Sequence, residues 1–261
     1  MLFFIPFICF NDFNTYLYSY NLLPYKMIAM IKNPIDINYI SNERNIKLLK
    51  ELGWYGSIFI QNHEEYDKKK LEEVKEYGNI YDLNIYSAIK IQSNSPKELL
   101  KYIKKYRDKT DIIVVEGGTL KINRQALELH NVDILSTPEL NRQDNGLDHI
   151  LARLGSTHRV AIELNFKELL KKKHYERAKI LWAFRRNILL AKKYDTPIVI
   201  SSGAKDRYDV KSPNDLRSFL NTLTENTKYS RHIMETTYKI VEYRTHLKKN
   251  NVIRYGLEII D

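Results

Sequence analysis

Seven short apolar runs recur along this chain, each followed by a charged or amphipathic stretch of helical length. That alternation limits the fold more than any other feature. The runs lie at 27–32 (MIAMIK), 56–61 (GSIFIQ), 85–91 (IYSAIKI), 111–116 (DIIVVE), 132–136 (VDILS), 159–164 (RVAIEL) and 197–202 (PIVISS). They are rich in Ile and Val, and several show no polar alternation, as strands covered on both faces do. Helices are expected at 41–52, 64–77, 96–107, 121–130, 146–155, 174–194 and 213–222, with a longer one at 226–248. Such β–α units in series specify a parallel α/β architecture. A closed barrel and an open doubly wound sheet both satisfy the pattern. Regularity and length favour a TIM-like (β/α) barrel, and the missing eighth run predicts a distorted one. No linker or repeat divides residues 27–261, so one barrel domain with a C-terminal helix is expected. The loops after the strands then gather at one end, which groups EGG (116–118), STPELNRQDNGLDH (136–149) and SSGAKDRYDVKSP (201–213) on one face.

The segment before the first run reads differently. MLFFIPFICF is apolar, yet it has no basic flank, contains Pro6 and is too short to span a bilayer. Met27 and Met30 stand at the first run, so residues 1–26 are read as an N-terminal extension outside the core. Nothing else resembles a targeting or membrane segment. Cys9 is the sole cysteine, which rules out an internal disulfide and a Cys-rich zinc site and favours a cytoplasmic setting.

The formal net charge of +10 points to a polyanionic partner, nucleic acid before membrane. Its distribution is uneven: residues 165–194 carry ten Lys or Arg against only Glu168 and Glu176. On a helical wheel Ile180, Phe184, Ile188 and Ala191 form the buried face. Tyr175, Lys179, Trp182, Arg186 and Lys193 fall opposite. Cations interleaved with aromatics can hold phosphates and stack on unpaired bases. A solvated outer face of a barrel helix explains the same residues, and the pattern leaves both readings open.

In the polar loop, Leu147, Ile150, Leu151 and Leu154 set an apolar stripe for the following helix. Asn145 is a plausible N-cap, and Asp148 suits the first turn as a structural rather than a catalytic acid. His149 and Arg153 flank the stripe. Arg142 could fork onto phosphate or pair with Asp144, and the spacing does not choose. The seven histidines form no H-x-H or H-E-x-x-H, and no G-x-S-x-G, P-loop or G-x-G-x-x-G is present. Asp206 and Asp209, flanked by Lys205, Arg207 and Lys211, read as an ion-pair network. No catalytic residue and no metal ligand is expected in this chain.

Four blocks carry a resemblance: VDILSTPELNRQDNGLDHILARL (132–154), RVAIELNFKELL (159–170), YERAKIL (175–181) and SSGAKDRYDVKSPNDL (201–216). In order and spacing they resemble archaeal ribonuclease P protein component 3, the thirty-kilodalton barrel subunit family. The most specific element is N-R-x-D-x-G-x-D-H before a hydrophobic helix. The resemblance implies a noncatalytic subunit of the ribonucleoprotein that removes 5′ leaders from precursor tRNA. Catalysis would belong to the ribonuclease P RNA and its bound magnesium, with no cofactor on this chain. The partners implied are that RNA, protein component 2, the other protein subunits and, indirectly, precursor tRNA. The fold implied is similar to metal-dependent phosphoesterase barrels that have lost their ligands. Carried over by motif are Asn141, Arg142, Asp144, Gly146, Asp148 and His149, with Arg124 in the preceding helix. Tyr175, Glu176 and Arg177 follow from the third block, and Ser201, Ser202, Asp209 and Asp215 from the fourth. Together with Lys179, Trp182 and Arg186 of the basic row, these are the candidate RNA or subunit contacts. A stand-alone phosphoesterase barrel and a generic RNA-binding module are the competing readings.

Overall fold

The computed structural model describes residues 31–248 and the strand backbone at 252–254 and 257–258. The extension read at 1–26 lies outside the described residues, as do 27–30 of the first expected strand.

Seven parallel strands neighbour one another in sequence order: β1 (Ile35–Asn38), β2 (Gly56–Asn62), β3 (Asn84–Ile91), β4 (Ile112–Glu116), β5 (Ile134–Ser136), β6 (Ala161–Asn165) and β7 (Ile198–Ser201). A doubly wound sheet would reverse that order at a switch point; this one curls round to meet itself. Tyr39 N–H donates to the Ala204 carbonyl at 2.8 Å and Gly203 N–H to the Ile37 carbonyl at 3.1 Å. Ser202 adds its N–H (2.8 Å) and hydroxyl (2.5 Å) to the Asp36 carboxylate. The result is a nearly closed, seven-stranded TIM-like barrel.

Among the described residues the first strand is IDIN, a segment that the apolar runs of the sequence do not mark. Hydropathy passes over it because Asp36 and Asn38 are buried polar residues. Both are satisfied locally, with Asn38 Nδ2 donating to Asp36 Oδ2 and to Ser57 Oγ, each at 2.9 Å. Burial still pushes the Asp36 carboxyl above its ordinary pKa, although Ser202 and Asn38 donate to it.

Around the barrel run α1 (Glu43–Glu51), α2 (Lys68–Ile80), α3 (Pro96–Tyr106), α4 (Leu120–Glu128), α5 (His149–His158), α6 (Phe166–Lys171), α7 (His174–Tyr194), α8 (Pro213–Thr224) and α9 (Thr227–Leu247). Side chains of Asn42, Asp67, Ser95, Thr119, Ser212 and Asn226 accept the orphan N–H groups at their N-termini. Two starts differ from expectation. Residues 63–65 form a separate 3₁₀ turn before α2. The helix expected from 146 begins at His149, and its cap is Asp148, which accepts from Leu151 N–H at 2.8 Å. Short α6 was not foreseen; it leaves the end of β6 directly, capped by Asn165.

The strands divide two cores by their alternation. Ile37, Ile58, Ile60, Ile112, Val114, Ile134 and Val199 face inward as one cluster, which Val241 of α9 joins. Residues of the opposite parity, such as Ile89, Ile113, Val115, Leu135 and Ile162, pack outward against the helices. Beyond Val241, α9 crosses the end where the strands begin. Arg244 pairs with Asp133, just before β5, and Lys248 with Asp111, just before β4, at 2.6 Å. Arg107 reaches the same Asp133 carboxylate at 2.7 Å. One end of the barrel is thereby closed by a helix and its ion pairs, and the loops at the opposite end remain for function. Among the described residues no helix is long and apolar enough to cross a membrane. A small antiparallel ribbon, β8 (Val252–Arg254) and β9 (Leu257–Glu258), follows α9.

Candidate nucleic-acid interface

The loop from β5 to α5 is polar in sequence but held in place by buried amides. Asn123 of α4 donates from Nδ2 to the carbonyls of Pro138 (3.0 Å) and Gly146 (2.9 Å). Its Oδ1 accepts from Gly118 N–H at 3.0 Å, which fastens the 116–118 loop alongside. Asn145 and Asn187 of α7, both buried, exchange bonds: Asn145 Nδ2 to Asn187 Oδ1 at 2.7 Å, and Asn187 Nδ2 to the Asn145 carbonyl at 3.2 Å. Gly146 has φ +69°, and a Cβ there would lie 1.9 Å from the Pro138 carbonyl oxygen. Glycine is required where the loop folds back on itself.

This fastening shapes a groove of about 520 Å³ between the loop, the start of α5 and the outer side of α7. Arg142, Asp144, Asp148 and His149 line it from one side, and Arg186, Leu190, Lys193 and Tyr194 from the other. Arg142 and Asp144 settle the question their spacing left open. They form a two-point pair, Nε to Oδ1 at 2.6 Å and Nη2 to Oδ2 at 2.7 Å. Asp144 also accepts from Gly146 N–H at 2.9 Å. Hydrogen bonding to Arg142 holds the Asp144 carboxyl below its usual range and raises the guanidinium correspondingly.

At the open end of the barrel lies a second, more polar hollow of about 240 Å³. The inward-facing residues one step beyond the apolar cluster are charged or polar: Tyr39, Lys90, Glu116 and Glu163. Lys90 pairs with Glu116 at 2.5 Å, Lys167 with Asp209, and Lys171 with Glu168 at 2.6 Å. Burial works to lower the Lys90 pKa, but the surrounding Tyr39, Glu116 and Glu163 raise it, so the ammonium is firmly protonated. Beside this mouth Glu139 is lifted to about 8 by burial, with Glu163 and Glu168 adding to the rise. Its Oε2 is sealed from solvent and has no hydrogen-bond partner. Among the described residues no group of three His, Cys, Asp or Glu side chains is placed to hold a metal ion.

The structure distributes the sequence-derived residues over several places. Arg142, Asp144, Asp148, His149 and Arg186 meet in the groove. Asn141, at φ +58°, lies exposed in the same loop. Tyr175 and Trp182 are 74% and 53% exposed on α7, with half-buried Lys179 nearby, and Arg177 Nε donates to the Lys172 carbonyl at 2.8 Å. Arg124 points away on α4, paired with Glu128 at 2.8 Å. Ser201 and Ser202 are fully buried and used inside the barrel, Ser201 on Glu163 at 2.5 Å and Ser202 on Asp36. Asp209 belongs to the mouth, and Asp215 completes a capping box with Ser212. Two expectations of burial change. Ile150 is 50% exposed, and Ala152 and Gly155 take its place in the packing of α5. Ile180 is only half-buried. Sequence reasoning missed Asn187, Asn123 and Glu139. Asn187 left a signal, since it interrupts the apolar face of α7 between Phe184 and Ile188.

Residues 33–249 match the model of the family described as RNase P subunit p30. The chain belongs to this family. It is 59% identical over 232 residues to ribonuclease P protein component 3 of Methanococcus maripaludis strain C6, covering 89% of this chain and all of that protein. The component 3 of Methanocaldococcus jannaschii is 58% identical over 226 residues, covering 87% and 97%. A chain of the cryo-EM structure of archaeal ribonuclease P with mature tRNA superposes with a TM-score of 0.82 at 57% identity, covering 87% of this chain and 98% of that one. All four blocks of the resemblance fall within the p30 match. The first of them lines the groove, the third opens α7, which supplies the groove's other wall further along, and the second and fourth build the barrel's mouth and seam.

Proposed function

We propose that this protein is a structural and RNA-contacting subunit of ribonuclease P, the ribonucleoprotein that removes the 5′ leader from precursor tRNA. The observation that carries this reading is near-full-length correspondence, at 57% identity, with a chain of an archaeal ribonuclease P structure that holds mature tRNA. In this reading the chemistry belongs to the RNA and its magnesium, and this chain supplies positive charge and a rigid surface. Its groove and the α7 face contact the RNA. Protein component 2 of the same enzyme is the partner with which it supports the RNA, and the complex works in the cytoplasm. Neutralising phosphates lowers the repulsion that otherwise opposes folding of the RNA, so the protein's contribution is greatest when magnesium is scarce.

The test is precursor-tRNA cleavage by the purified RNA and component 2, with and without this chain, across a magnesium series. Cleavage at modest magnesium only when the chain is present is the expected result. Cleavage that does not respond to its addition overturns the reading. Phosphoester turnover by the chain alone would indicate a stand-alone barrel enzyme instead.

A further inference from the structure

The groove is more specific than a positively charged surface requires. Resting on the reading that this subunit contacts RNA, we infer that the groove is a pocket for one unpaired nucleotide, with the Arg142 guanidinium as the platform on which its base stacks.

Three observations converge. First, Asp144 occupies the Nε–Nη2 edge of Arg142 at 2.6 and 2.7 Å. A carboxylate on that edge removes two of the donors with which arginine grips phosphate, and it fixes the orientation of the plane. What remains to the group, at 22% side-chain exposure in the groove wall, is suited to stacking. Second, the opposite wall supplies what a nucleotide's other half needs. Arg186 has no hydrogen-bond or ion-pair partner among the described residues, and Lys193 is held only against the Tyr194 ring, 5.3 Å from its centroid. Neither cation is neutralised, so both remain available for a phosphate. Third, the pocket is built in advance. Its two walls are tied by the buried Asn145–Asn187 exchange, and its turn is fixed by Gly146. A pocket whose shape is already set loses little conformational entropy when it closes on a ligand. Its volume of about 520 Å³ lies within the usual range for small-ligand sites, and Leu147 and Leu190 give it apolar contact area.

Double-stranded RNA cannot use such a site, because its bases are stacked on one another and present only edges. The inference therefore separates single-strand from duplex binding. The experiment measures binding of the full chain to a short oligouridylate and to an RNA duplex of equal phosphate number, at one salt concentration. Wild type is compared with Arg142→Lys and Arg186→Ala, and each variant is checked by thermal unfolding. Arg142→Lys keeps the charge and removes the plane. It is expected to weaken oligouridylate binding about tenfold, within the span of one stacking contact, and to leave duplex binding unchanged. Arg186→Ala is expected to weaken the single strand further at low salt. Equal affinity of wild type and Arg142→Lys for oligouridylate overturns the inference, as does an equal loss on both RNAs. Unchanged RNA binding with lost binding of component 2 would make the groove a protein contact and also overturn it. The cleavage assay is independent of all these outcomes. The subunit reading stands or falls on cleavage, and the pocket on the split between single strand and duplex.

Discussion

Glu139→Gln should stabilise this protein in alkaline solution and leave it unchanged in mild acid. Glu139 follows β5, and its Oε2 is closed off from solvent without a hydrogen-bond donor. The charged form is disfavoured by burial first and by Glu163 and Glu168 second, which raises the carboxyl from 4.5 to about 8. In the unfolded chain the same group titrates near its ordinary value. Between those two values the folded state holds a proton that the unfolded state has lost, so stability falls as pH rises from about 4.5 to about 8 and is level beyond. At roughly 1.4 kcal/mol per unit the full displacement corresponds to about 5 kcal/mol. The residue as a whole is only half-buried, and solvent reaching it when charged reduces this to about 2–3 kcal/mol. Glutamine keeps the shape and cannot ionise. Guanidinium unfolding at fixed ionic strength at pH 5, 7 and 9 reads the difference. Wild type and Glu139→Gln should coincide at pH 5, with the variant more stable by about 2–3 kcal/mol at pH 9, roughly 4–10 °C in Tm for a domain of this size. Other titrating groups are common to both proteins and cancel in the comparison. Parallel curves across the whole pH range would refute the reasoning, because they would mean that Glu139 ionises freely in the folded state.

The remaining predictions concern the elements that hold the site. Asn187→Ala strands Asn145 beneath the groove and should cost about 2–3 kcal/mol in chemical unfolding, with weaker RNA binding by the folded fraction. Gly146→Ala places a methyl 1.9 Å from the Pro138 carbonyl at a positive φ. A loss of about 3 kcal/mol or more is expected, and a loss below 1 kcal/mol would mean the loop has room to shift. Arg244→Ala removes one of two guanidinium partners from the buried Asp133. Because Arg107 and Ile113 N–H still hold that carboxylate, about 2 kcal/mol is expected rather than the larger cost of an unpaired charge, read by the urea midpoint.

What the sequence revealed depended on whether local pattern and packing agreed. Strands β2 to β7 were legible because most of their residues are buried, so Ile- and Val-rich apolar runs mark them. Strand β1 was not, because its buried Asp36 and Asn38 break the apolar pattern, and Asp36 meets Ser202 across the barrel seam, 166 residues away, while Asn38 bonds Ser57 of β2. The start of α5 was misplaced for a related reason. Asn145 and Asp148 are both good caps, and only the contact of Asn145 with Asn187, 42 residues on, spends the first of them elsewhere. The exposed Ile150 follows from packing as well. Gly155 sits where a Cβ would come within 2.8 Å of Thr196 and 3.2 Å of Leu127, so α5 turns its small residues inward and an isoleucine outward. Hydropathy ranks side chains by their affinity for oil, whereas a close helix contact selects them by size.

The same distinction between counting and pairing applies to the positive charge. A surplus of eight cations over 165–194 does not say where the field is, because a lysine beside a carboxylate contributes little to it. At the mouth Lys90, Lys167 and Lys171 each have a carboxylate partner, on the neighbouring strand β4, on the 201–213 loop and on α6 respectively. On α7 and the turn before it Lys172, Lys173, Lys179 and Arg186 have none among the described residues, and Lys192 and Lys193 lean on tyrosine rings. Counterions gather at unneutralised charge and are released when phosphates replace them, so under the proposed function the gain on binding RNA would be concentrated along α7. A barrel enzyme of this architecture would work at its mouth. Here the mouth is internally neutralised, and the outward surplus lies on the helix that walls the groove.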